Sequence, residues 1–123
     1  MKPAPETGGQ GKISGMDEKM LQSITDSIVD ELHPEEVILF GSRAAGTNRP
    51  GSDIDLLIVL ADSDETTRGR RRLTGRAYRR LASYPVAKDI LIYSRAEVER
   101  WQHVQGYVIA RGLSEGRRLY GKA

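Results

Sequence analysis

The chain has no cysteine among its 123 residues. That excludes disulfide staples, thiolate metal ligands and cysteine nucleophiles, and it suits a reducing, cytoplasmic setting. Histidine is nearly as scarce. His33 and His103 share no ligand-type spacing, so both read as helix-end or surface residues. No apolar run approaches the roughly 20 residues that a membrane-spanning helix requires. Met1 to Gly15 is Gly, Pro and polar residues without the apolar centre of a signal peptide, and reads as a disordered lead to one domain over residues 16–123. A Ser-His-Asp set, a P-loop and a dinucleotide fingerprint are also missing, which argues against a hydrolase, a Walker-type ATPase and a dehydrogenase. Charge of either sign is not in excess: 19 Lys and Arg against 17 Asp and Glu leave +2.

What is present is a set of short periodic segments. From Asp17, the apolar positions Met20, Leu21, Ile24, Ile28, Val29 and Leu32 follow the 3.6-residue period of a helix that His33-Pro34 should end. Val37-Ile38-Leu39-Phe40 and Leu56-Leu57-Ile58-Val59-Leu60 read as buried strands. A second helix is expected from about Ser63–Glu65 to Leu81, closed by Tyr84-Pro85, followed by a strand over Val86 to Tyr93. Ser94-Arg95-Ala96-Glu97 is a capping box opening a third helix to about His103, and Tyr107 to Ser114 reads as a fourth before Gly116.

The chemistry is concentrated between the first two strands. Gly41-Ser42 is followed, after ten residues, by Asp53-Ile54-Asp55. Strand side chains alternate, so Asp53 and Asp55 project from one face with Cα atoms roughly 6 to 7 Å apart. Turn chemistry after Pro50-Gly51 explains Asp53, but not an ionised Asp55 on an otherwise apolar strand. A hard divalent cation shared with a phosphate explains both. Asp89, inside the third apolar run, could reach the same cluster and activate an attacking hydroxyl, or else pair with an arginine or Lys88. The small-residue turn at Gly41-Ser42, leading into a short helix at Arg43 to Ala45, would aim backbone N–H groups at an anion, which makes Gly41, Ser42 and Arg43 nucleotide-binding candidates.

These residues together resemble the signature of the DNA polymerase beta superfamily of nucleotidyltransferases, and in particular the small MNT type that serves as the antitoxin of HEPN-domain proteins. The likeness runs from about Asp17 to the tail at Glu115 to Tyr120. It implies an α+β nucleotidyltransferase fold with a central mixed β-sheet flanked by helices. It also implies that Gly41 and Ser42 hold the phosphates of ATP, that Asp53 and Asp55 ligate two magnesium ions, and that Asp89 is the third acid. The implied reaction moves AMP to an acceptor hydroxyl, a tyrosine of the HEPN toxin. Two rival readings are a non-catalytic module that neutralises its partner by contact, and a transferase acting on a small molecule or an RNA end.

One segment stands apart. Arg68, Arg70, Arg71, Arg72, Arg76, Arg79 and Arg80 fall together with no acid among them. Like charges so crowded repel unless something negative lies beside them, so the expectation is a face for RNA, nucleotide phosphates or an acidic partner, rather than arginines paired to Asp62, Asp64 and Glu65.

Overall fold

The computed structural model describes residues 15–41, 53–104 and 108–121. Helix α1 (Gly15–Leu32) ends where the periodic pattern ends, with His33 at φ 49° and Pro34 next in the chain. Strand β1 (Glu36–Phe40) follows, and β2 (Ile54–Leu60) pairs antiparallel to it with Phe40 opposite Asp55. After β2 come α2 (Asp64–Arg68) and α3 (Arg70–Arg80), which form the crossover needed to bring β3 (Lys88–Ser94) back parallel to β2. Helices α4 (Arg95–Trp101) and α5 (Val108–Glu115) precede β4 (Arg117–Tyr120), which lies antiparallel to β1. The sheet order is β3-β2-β1-β4, a mixed sheet in an α+β fold as expected.

Alternation gives the sheet two apolar faces. Ile54, Leu56, Ile58 and Leu60 join Val37, Leu39, Ile90 and Ile92 against Leu21, Ile24 and Ile28 of α1 and Leu73 and Ala77 of α3. On the opposite face, Val59 packs with Val98 of α4 and Ile109 of α5, with Tyr93, Trp101 and Leu113 half-buried around them. Ser94 caps α4 through the full reciprocal box: its hydroxyl accepts the Glu97 N–H at 3.1 Å and the Glu97 carboxylate accepts the Ser94 N–H at 2.9 Å.

One expectation needs correcting. The single helix expected over about residues 63–81 is two, because Gly69 leaves helical geometry at φ −103° and ψ 19° and a Cβ there would stand 2.8 Å from the Glu65 carbonyl oxygen. The tail adds a strand, β4, that the sequence pattern does not announce. The lead over residues 1–15 falls outside the described residues except for Gly15.

Candidate active site

Ile54 and Leu56 point toward the α1–α3 layer, so Asp55 between them points to the other face of the sheet. Asp89 does the same, since its neighbours Ile90 and Ile92 are in the first layer. The parallel register sets Asp55 and Asp89 directly opposite one another, at the strand spacing of about 4.8 Å. Asp53 precedes β2 and is exposed. On this face α4 and α5 cover Val59, further along the strand. The acids therefore occupy the end where β2 and β3 begin and β1 finishes.

Gly41 completes that end. It follows β1 at φ +79°, a backbone conformation that side chains rarely adopt, and a Cβ there would collide with Oδ2 of Asp55 and lie 3.2 Å from its Cγ. The glycine is thus required twice, by its dihedral and by the carboxylate packed against it.

Electrostatics mark Asp55. Burial pushes its carboxyl above the usual aspartate value, and the negative charges of Asp89 and then Asp53 push it the same way. Among the described residues none of the three acids has a salt bridge. An Asp89–Lys88 pair is not present among the described residues: adjacent strand residues project to opposite faces, and the Lys88 ammonium donates to the Tyr84 carbonyl oxygen at 3.1 Å. Tyr78 is a neighbour that sequence reading passes over: its hydroxyl accepts the Ile90 N–H at 2.9 Å, one residue beyond Asp89. Only the fold brings it there.

Among the described residues no three His, Cys, Asp or Glu side chains are gathered tightly enough to enclose a metal unaided. A magnesium ion does not demand such a cage, since one or two carboxylates suffice when phosphate oxygens and water complete the octahedron. Asp55 and the two carboxylates whose charges raise its affinity for a proton, Asp89 and Asp53, form a donor set suited to such an ion. Ser42 and Arg43 lie outside the described residues. A groove of 840 Å³ bounded by Pro34, Glu35, Glu36, Arg95, Leu119 and Tyr120 lies at the opposite end of β1, and its charges are already paired, Arg95 with Glu35 and Glu36.

The described residues thus form a mixed sheet layered by helices, with acids from adjacent parallel strands beside a glycine that ends the preceding strand. The chain belongs to the nucleotidyltransferase domain family, whose sequence profile matches residues 22–100. No curated protein matches it significantly. Its fold is similar to that of a Sulfolobus solfataricus protein to which nucleotidyltransferase activity has been ascribed, with a TM-score of 0.56, 22% identity, and coverage of 85% of this chain and 79% of that one. A toxin–antitoxin structure with AMP-PNP aligns over 82% of this chain and 73% of that one at 20% identity, with a TM-score of 0.48, and at that level the likeness decides nothing. No helix among the described residues is long and apolar enough to cross a membrane.

Proposed function

We propose that the protein transfers AMP from ATP to a tyrosine hydroxyl of a HEPN-domain toxin and so acts as its antitoxin. The observation that carries the transferase reading is the Asp55–Asp89 register pair, with Asp53 nearby and Gly41 packed on Asp55. The toxin and its tyrosine come from the sequence resemblance around Gly41-Ser42 and Asp53-Ile54-Asp55.

Asp53, Asp55 and Asp89 would hold magnesium, which when bound neutralises phosphate charge at the reacting centre. Gly41, whose missing side chain lets the Asp55 carboxylate pack against its backbone, would offer that backbone to the triphosphate, with Ser42 and Arg43 as further phosphate contacts. Asp89 would take the proton of the acceptor hydroxyl. The hydroxyl oxygen bonds to the α-phosphorus as the bond from that phosphorus to the β-bridging oxygen breaks, and pyrophosphate leaves. The chain's contribution is chiefly position and charge.

The test is co-expression with a HEPN partner followed by mass spectrometry of that partner. The reading expects an added AMP on a tyrosine with the parent chain and none with Asp55→Asn. Rescue of growth by Asp55→Asn at the parent level, without modification, would show that contact alone neutralises the toxin.

A further inference from the structure

The seven arginines between Arg68 and Arg80 are not equivalent once folded. Arg70 reaches Glu97 at 2.6 Å, Arg72 reaches Glu65 at 3.2 Å, Arg76 reaches Glu31 at 2.9 Å and Arg80 reaches Asp30 at 2.9 Å. These four fasten α3 to α1, α2 and α4. Arg68, Arg71 and Arg79 are exposed and have no ion pair among the described residues.

Within α3, Arg71, Gly75 and Arg79 recur at i, i+4 and i+8 and form one outward stripe, with Tyr78 seven residues on from Arg71 along its border. Gly75 contributes no side chain to the middle of that stripe. A Cβ there would lie 3.3 Å from Nη1 of Arg79, so the Arg79 guanidinium rests across the glycine. Tyr78 is 38% exposed and, with Tyr120, is one of two large hydrophobic residues so exposed among those described. Its hydroxyl is already engaged with the Ile90 N–H, which fixes the ring against the free edge of β3.

We propose that this face of α3 binds single-stranded nucleic acid, with phosphates on Arg71 and Arg79 and a base stacked on Tyr78. Guanidinium forks match phosphate oxygens in pairs. Stacking on a tyrosine needs only a π-surface and tolerates any base. An acidic protein surface would satisfy the arginines equally, but a tyrosine at a protein interface offers its hydroxyl as well as its ring. Here the hydroxyl is turned inward and the ring is what remains. The face is separate from the proposed nucleotide transfer: the acids lie on the opposite side of the sheet, and binding needs none of them.

The test uses the full chain and a fluorescein-labelled oligouridylate about twelve nucleotides long, within the span such sites take. Anisotropy is read at several salt concentrations without magnesium or ATP. Two phosphate contacts predict a log–log salt slope of about −1.4, at −0.7 each for single strands. Arg71→Glu with Arg79→Glu should weaken binding at least about tenfold and flatten the slope. Tyr78→Leu should weaken it several-fold, while Tyr78→Phe retains most of it because the ring survives. Arg76→Gln, checked for folding by circular dichroism, should bind like the parent because Glu31 holds that guanidinium inward. Absence of salt-dependent binding, or parent affinity in the double arginine variant, would overturn the proposal. So would displacement of the RNA by polyglutamate of equal charge together with indifference to Tyr78→Leu, which would instead assign the face to an acidic protein.

Discussion

Gly41 and Asp55 are in contact across the end of β1 and β2, and the contact leaves no volume for a methyl group. Gly41→Ala must therefore displace the carboxylate as well as adopt a left-handed dihedral that costs about 1 to 2 kcal/mol. The expected outcome is a melting temperature lower by several degrees and loss of AMP transfer well beyond what that stability change explains. Thermal melts and transfer from labelled ATP, run side by side, check it.

Asp55→Asn should separate stability from activity. The folded-state pKa of Asp55 is raised, so its effect on stability is absent below the ordinary aspartate range, where folded and unfolded chains are both protonated. As pH rises through the raised value, the folded chain must hold a disfavoured charge. The variant should be more stable than the parent at pH 7, lose that advantage in acid, and transfer nothing. A pH series of melts decides this: a neutral-pH loss of stability in the variant would mean that the carboxylate is a structural partner.

Glu36 works in the other direction. Its side chain is only 10% exposed and lies 2.5 Å from Arg95 and 3.0 Å from Arg118. Burial alone would raise its pKa, but the hydrogen bonds and charges of the two arginines outweigh burial and hold it below the usual glutamate value. Its contribution is therefore complete above the ordinary value of 4.5 and is lost as pH falls through the depressed one. Glu36→Gln should cost about 2 kcal/mol at pH 7, the scale of a hydrogen bond to a charged group, with the difference closing in acid. Chemical denaturation at pH 7 and below pH 4 measures both halves.

Ser42→Ala tests the proposed phosphate contact directly. Loss of one hydrogen bond to a charged oxygen should weaken ATP binding by about 1 to 3 kcal/mol. Calorimetry in magnesium measures it, and unchanged affinity would return Ser42 to the role of a turn residue.

How much of this was readable in advance follows from how local each feature is. Helix α1 and the first strands announce themselves because burial imposes a period on the residues themselves. Asp55 and Asp89 stand out because a charge in an apolar strand needs a reason. That they face each other is a matter of parallel register between residues 34 positions apart in the chain, and no local pattern encodes it. The break at Gly69 is not legible because a lone glycine within helical sequence can be tolerated or can end the helix. The partners of Arg70, Arg76 and Arg80 lie on α4 and α1, far along the chain, so the expectation of an unpaired basic face held for only part of it. Arg117-Arg118-Leu119-Tyr120 is too short to show alternation, and it becomes a strand because β1 offers it an edge.

That late strand has a consequence for synthesis. The partner of β1 on one side, β2, follows it closely in the chain, but the partner on its other side is residues 117–120. Without them the backbone groups of Val37 to Leu39 present an open ladder on a strand that is apolar and otherwise ready to pair. A nascent chain in which residues 117–120 have not yet emerged thus carries a sticky edge, and the Arg117–Glu18 bridge at 2.6 Å forms only once that segment is present. Shortening the tail would leave the newborn protein exposed to edge-to-edge aggregation even if the acids at the other end of β1 were correctly placed.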